Sequence, residues 1–387
     1  MSSCPCGSDP CVVELMRGLI APFFVSDVTV FAMLTELSLS NLRIVETAKL
    51  SPGGGLNVIT GSNGSGKTTL LEAIYLLSRG RSFRHREAAP LIREGQQETI
   101  LTTRFKASPA ETEHFLGMRR TPNDIEVRLD GKPAGKRSDI MKMLPVQWIG
   151  SEPQNLLTGS PDVRRSFLDN GLFHVEHRYL HILQQYHRAL VQRNALLRRQ
   201  GQELGIWDEQ LSQFAAELDE SRSRYVRALG KGLEKRLQRW GLEIDLSLIY
   251  RRGWRADRTL LEQLAESRTV DQKQRYTGAG PHRADLLLKS ANLKSGQRLS
   301  RGQLKMLAVA LHFVQSEITR ERGGAPDLLL FDDLSAELDQ DNRELLAKDI
   351  QQDFQQAFVT ALSLHDLPSP GDTWKVFHVE HGVFTQP

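Results

Sequence analysis

The sequence predicts an α/β protein: a head built on a parallel sheet with a strand-rich, antiparallel lobe, and a helical arm inserted into it. Three observations carry this. An apolar run, Leu56-Asn57-Val58-Ile59-Thr60, leads through a glycine-rich loop into the amphipathic stretch Leu70 to Leu77. A second apolar run, Asp327 to Phe331, ends in the paired acids Asp332 and Asp333, and unbroken apolar character marks a strand covered on both faces. Between them, strand periodicity gives way to long helical periodicity over 161–255 and then returns. The expected division is therefore a head of 33–160 and 256–387 and an arm of 161–255.

The 387 residues suffice for two or three domains, and 40% hydrophobic with 25% charged residues is ordinary for a soluble chain. A net charge of +3 neither demands nor excludes a nucleic-acid partner. No apolar run approaches the roughly 20 residues of a membrane helix, so a cytoplasmic protein without a membrane partner is expected. Cys4, Cys6 and Cys11 all lie near the start; their spacing does not make a zinc site, and no disulfide is expected to hold the fold. Residues 1–32 read as a disordered upstream extension, with Met33 as the natural start and nothing measurable lost on deleting what precedes it.

From Met33 the elements follow in order. Leu34 to Arg43 alternates as a strand, with Leu37 and Leu39 on one face. The loop Gly61-Ser62-Asn63-Gly64-Ser65-Gly66-Lys67-Thr68-Thr69 has the G-x-x-x-x-G-K-T spacing between a strand and a helix that defines a phosphate-binding P-loop. Its glycines let backbone N–H groups turn toward phosphate oxygens, and the helix behind presents its positive end. Lys67 is expected to reach the β and γ phosphates of ATP, and Thr68 to bind Mg²⁺. Arg79 to Arg84 holds three arginines around Phe83, which suits a phosphate contact or a solvated helix exit. Ile125 to Leu129 followed by Asp130-Gly131 reads as a hairpin, and Pro145 to Ile149 as a buried strand.

Ser160-Pro161-Asp162 signals a helix start with Ser as N-cap. Two long helices are expected to follow, one with Leu180, Leu183, Leu190 and Leu197 in a stripe, the other running from Leu211 to Leu237. Gly201 to Gly205 separates them, so they should fold back as a pair. Residues 161–255 hold 17 Lys plus Arg against 12 Asp plus Glu. That excess suits reading a phosphate backbone as well as it suits a solvated face. Ile244, Leu246 and Leu248 alternate as a strand, as does Asp285 to Leu288.

The C-terminal third supplies the remaining chemistry. Asp332 is expected to hold Mg²⁺ beside Thr68, and Asp333 to orient or deprotonate the attacking water. Ser300 and Gly302, with Gln303, precede a strong helix and form a second anion-binding turn. The order of P-loop, Ser-x-Gly-Gln turn, paired acids and Ser335 to Asp339 resembles the ATP-binding-cassette ATPases. That resemblance implies that the Ser300 turn of one subunit completes the ATP site of another.

More local stretches narrow it. Leu39 to Arg43, the P-loop, Gly80 to Arg84, Gly159 to Asp169, Gly280 to Asp285, the Leu299 to Gln303 turn and Phe331 to Asp339 together resemble the RecF family. The resemblance implies an ATP-driven homodimer with slow hydrolysis. It implies binding of double-stranded and single-stranded DNA, preferring duplex beside a gap, in recombinational repair and replication-fork recovery, and cooperation with RecO and RecR in loading recombinase within the SOS response. It also favours functional roles for Arg81 and Arg84. Gln147 is a candidate metal-sensing glutamine by the same analogy, no switch histidine is assigned although His365 lies nearby, and His282 and Arg283 suit either DNA contact or structure. A transporter's nucleotide-binding subunit would share the P-loop but predicts a membrane-coupling surface in place of a basic arm. A DNA-binding scaffold that never hydrolyses ATP differs only in turnover.

Overall fold

The computed structural model describes residues 33–84, 87, 89–106, 112–199, 203–242, 246–290, 299–322, 328–367 and 374–386. The expectations for 1–32 and its cysteines, and those on Gly201, Ile244 and Asp327, lie outside these residues.

The lobe is an antiparallel sheet of β1 (Met33–Leu42), β2 (Val45–Leu50), β4 (Thr99–Lys106), β5 (His114–Arg120), β6 (Ile125–Leu129) and β7 (Lys132–Pro133), in spatial order β2-β1-β4-β5-β6-β7. The hairpin falls where expected, and Asp130 and Gly131 both take positive φ (51° and 78°), as a two-residue hairpin turn requires. The second sheet runs β14 (Val383–Thr385), β13 (Lys375–Glu380), β3 (Gly55–Thr60), β12 (Gln356–Ala361), β11 (Leu328–Phe331) and β8 (Val146–Ile149). All its neighbours are parallel except β13 and β14.

Both faces of this parallel sheet are covered, which is why its strands are apolar throughout. Ile59, Leu328, Leu330 and Phe358 pack with α1 (Lys67–Arg79), while Val58, Leu329, Phe331 and Val359 pack toward α8 (Arg301–Glu321). Helix α1 is sandwiched between the two sheets, burying Leu70, Leu71, Ala73, Ile74, Leu76 and Leu77. It stops at Gly80, whose φ of 65° allows the N–H to return to the Leu76 carbonyl at 2.7 Å. A short α2 (Arg137–Met143) leads into β8.

The helical unit differs from the expected one in three ways. After α3 (Asn155–Thr158), the stretch expected to give two helices gives three: α4 (Pro161–Val175), α5 (Tyr179–Arg198) and α6 (Gly205–Arg239). Ser160 occupies the N-cap position of α4, but its hydroxyl makes no capping bond, and Pro161 sets the helix start by its fixed φ. The unit also does not end at 255. Strand β9 (Leu246–Arg251) pairs with β10 (Asp285–Ser290) and with neither head sheet, and α7 (Leu260–Gln274) packs beside α5 and α6. A return of strand periodicity looked like a return to the head because a local period does not say which strand is the partner.

A buried ion cluster fixes α7 to the pair. Arg193, 0% exposed, donates to Asp208 at 2.6 Å, to Asp271 at 2.8 Å and to the Thr277 hydroxyl at 2.9 Å. Replacing Arg193 with Met leaves two buried carboxylates short of a partner. The expected cost is about 3–5 kcal/mol, read as a lower urea midpoint at an unchanged slope.

The unit is seated on the head rather than projecting from it. A side chain at Gly232 would overlap Val314 of α8, and one at Gly171 would overlap Tyr225 and Gln315, so these glycines permit the close approach of α4, α6 and α8. Farther along, Arg236 bonds Asp349 (2.9 Å) and Asp353 (2.5 Å), both in α9 (Gln340–Asp353), and Trp240 Nε1 donates to the Asp349 carboxylate at 2.6 Å. Among the described residues no helix is long and apolar enough to cross a membrane.

Candidate nucleotide site

In the sheet order β12 separates β3 from β11, and all three are parallel, so the P-loop and the paired acids leave the same edge of the sheet. This is the edge at which open α/β sheets bind ligands. Gly61 and Gly66 have φ of 152° and 117°; a side chain at Gly61 would overlap the Val379 carbonyl. Helix α1 begins at Lys67 with no side-chain cap. Its first N–H groups are therefore left for an anion, and the helix dipole favours one there.

Lys67 folds back over the loop, its ammonium donating to the Gly61 carbonyl at 2.7 Å and the Ser62 carbonyl at 2.9 Å. Burial lowers its pKa, opposed by the negative charge of Asp333 and Asp332. Across the cleft Thr68 Oγ1 donates to Asp332 Oδ1 at 3.0 Å, and Thr360 Oγ1 donates to the same oxygen at 2.8 Å. Burial raises the Asp332 pKa while these two bonds lower it. Asp333 lines the cleft with Asn63, Gly64, Thr69, Arg84 and Ser151.

A triphosphate with Mg²⁺ fits this donor set. The uncapped N–H groups and Lys67 suit phosphate oxygens, and the paired hydroxyl and carboxylate of Thr68 and Asp332 are hard oxygen ligands of the kind Mg²⁺ takes alongside phosphates and water. Among the described residues no group of three or more His, Cys, Asp or Glu could hold a metal ion. The cleft holds about 250 Å³, less than a typical closed small-molecule site of roughly 300–1,000 Å³.

Several expected residues are elsewhere. Ser300, Gly302 and Gln303 do not line the cleft. They open α8, where the Ser300 hydroxyl accepts from the Gln303 N–H at 3.1 Å and the Gln303 side chain accepts from the Ser300 N–H at 2.9 Å. This is a capping box on an exposed turn. Gln147 requires a correction: strand alternation in β8 sends Trp148 toward Tyr75 and Phe83 on the P-loop side, and Gln147 to the opposite face, where its amide meets His312 at 2.5 Å. It is 3% exposed and does not reach Thr68 or Asp332. Of the two arginines, Arg84 lines the cleft and Arg81 does not. His365 sits exposed in a 3₁₀ turn outside it.

His282 is held inside the helical unit by Tyr186 OH at 2.6 Å and the Thr277 carbonyl at 3.0 Å, and burial lowers its pKa to about 4. That is a structural placement. Arg283 instead lies over the Tyr276 ring at 5.2 Å.

Sequence reasoning passed over Arg43, Ser151 and Thr360. Arg43 lines the cleft while its guanidinium is held in two bonds by the fully buried Glu72 of α1. An acid on the apolar face of the P-loop helix was the available signal. Thr360 was hidden in an apolar strand pattern.

Residues 33–385 match the family model of the RecF/RecN/SMC N-terminal domain. The chain is 37% identical to the DNA replication and repair protein RecF of Thioalkalivibrio sulfidiphilus, over 91% of this chain and 98% of that protein. It is 36% identical to the protein of the same name from Erwinia tasmaniensis, over 92% and 99%. A solved structure of the recombination mediator protein RecF with ATP, of the RecFOR pathway, superposes with a TM-score of 0.83 at 27% identity, covering 93% of this chain and 99% of that one. An SMC head bound to the C-winged helix domain of ScpA shares the fold, with a TM-score of 0.56 at 18% identity over 91% and 96%.

Proposed function

The chain belongs to the RecF family of DNA replication and repair proteins, and from that membership we propose that it is an ATP-operated DNA clamp whose two copies close on DNA when nucleotide binds. The observation that carries this reading is the split site. Lys67, Thr68, Asp332 and Asp333 converge on one small cleft, while the capped helix start at Ser300 stands exposed outside it. A second copy that brings its Ser300 turn over the first copy's P-loop completes both clefts at once.

Bound ATP with Mg²⁺ supplies the phosphoanhydride whose cleavage resets the clamp. Lys67 holds negative charge at the phosphates, Thr68 and Asp332 take the metal, and Asp333 accepts the proton of the attacking water. An aspartate at that position reaches less far than the glutamate common in cassette ATPases, which suits a slow switch. The ligand preferred on this reading is duplex DNA beside a single-stranded gap, with RecO- and RecR-type mediators as partners in loading recombinase. Sedimentation with ATP and gapped DNA tests it: dimers that need both ATP and an intact Lys67 support the clamp, and a monomer under all conditions refutes it.

Part of the arm's positive charge is spent internally. Arg193, Arg222 and Arg236 are buried in ion pairs with aspartates, so only the exposed remainder, such as Arg188, Arg198, Arg199, Arg227, Lys231 and Lys235, is free to meet phosphates. DNA affinity should still fall with salt, with a slope in log–log form of about −0.9 per phosphate neutralised. Fluorescence anisotropy across a salt series measures it, and a flat line refutes backbone binding.

A further inference from the structure

Lys305 is 0% exposed, yet among the described residues it makes no ion pair with a carboxylate. Its ammonium donates to two backbone carbonyls, Asp333 at 2.9 Å and Ala336 at 2.7 Å, and lies 5.9 Å from the Phe331 ring. Burying an ammonium costs free energy that an apolar side chain of similar size would not incur. Holding α8 in place does not account for it.

What it grips does. Asp333 has a φ of 56° and Glu337 a φ of 63°, a left-handed conformation that non-glycine residues adopt at a cost. The Asp333 peptide is clamped on both sides: its N–H donates to Thr360 Oγ1 at 2.8 Å, and its carbonyl accepts from Lys305. That conformation is the one in which Asp333 lines the cleft. The same loop is tied to the first turn of α8, where Arg301 meets Glu337 at 3.0 Å. Lys305 lies little more than one turn along α8 from Ser300.

We propose that Lys305 is a positioning residue: it holds Asp333 in its strained, cleft-facing conformation and ties that conformation to the Ser300 turn of the same chain. This inference rests on the reading of the cleft as an ATP-hydrolysing site. In a closed dimer the Ser300 turn belongs to one nucleotide and Asp333 to the other, so Lys305 links the two sites within one polypeptide.

The test is steady-state phosphate release by full-length Lys305→Met, with Asp333→Asn and the double variant beside it. The expected result for Lys305→Met is a kcat lowered at least about 10-fold with KM for ATP within about twofold, because Lys67 and Thr68 are untouched. Adding Lys305→Met to Asp333→Asn should lower kcat no further, since the lysine acts through the acid; a merely structural role would give an additive loss. If Lys305→Met is too unstable to assay, Lys305→Gln, which keeps an amide donor without the charge, is expected to show the same split between kcat and KM. Wild-type kcat in a folded Lys305 variant, or a further loss in the Asp333→Asn background, overturns the inference. Wild-type turnover by Lys67→Met would overturn the reading of the cleft and this inference with it, whereas an inactive Lys67→Met beside a fully active Lys305→Met overturns this inference alone.

Discussion

Lys67→Met is expected to abolish phosphate release and to leave the fold intact. The lysine reaches over the loop from the first residue of α1, and its ammonium rests on the Gly61 and Ser62 carbonyls. Burial already weakens its hold on a proton, and the neighbouring Asp333 and Asp332 oppose that effect. Methionine has nearly the same length and volume but no charge and no donor. Losing one preorganised donor at a developing charge costs about 10²–10³-fold in kcat, and loss of full charge should take turnover below detection for a slow switch. Stability should change little, because of the two carbonyls left behind that of Ser62 is exposed to water and that of Gly61 is only partly buried. The measurement is phosphate release beside thermal melting of the nucleotide-free protein. Normal turnover would show that hydrolysis does not occur in this cleft.

The parts legible in the sequence were those whose chemistry is local. A glycine-rich loop between a strand and a helix, an apolar strand ending in acids, and an Asp-Gly hairpin each carry their meaning in adjacent residues. The α/β head with its antiparallel lobe and helical insertion followed from them, and the SMC-type fold agrees. The misread parts depend on which distant surface a residue meets. Gln147 sits in the expected strand, but a period of two gives its face only when the neighbouring layers are known. The boundary expected at 255 falls between β9 and β10, because nothing local in the sequence says that β10 pairs with β9 and not with a head sheet. The basic excess of 161–255 read as surface charge because sequence does not reveal that Arg193, Arg222 and Arg236 are buried against aspartates. Arg43 and Glu72 are 29 residues apart and each is unremarkable alone.

Ser300→Arg is expected to permit ATP binding by monomers and to block ATP-induced dimers. Ser300 is exposed and lies outside its own chain's cleft, so a change there leaves the Lys67 and Thr68 contacts as they are. What it alters is the face of the α8 N-terminus, where Ser300 and Gln303 satisfy each other's backbone N–H groups. In a closed dimer that turn must come within hydrogen-bonding distance of a phosphate, and a side chain as long as arginine holds the surfaces apart. The substitution also removes a cap, worth about 1 kcal/mol, so instability must be separated from lost docking. Ser300→Asp makes the separation: aspartate caps as well as serine, and its negative charge repels the phosphate the turn would meet. Sedimentation velocity with ATP should show monomers for both variants, with ATP affinity near wild type and little loss of melting temperature for Ser300→Asp. Dimers retained by Ser300→Asp would place the junction between copies away from α8 and leave each cleft to be completed by some other surface.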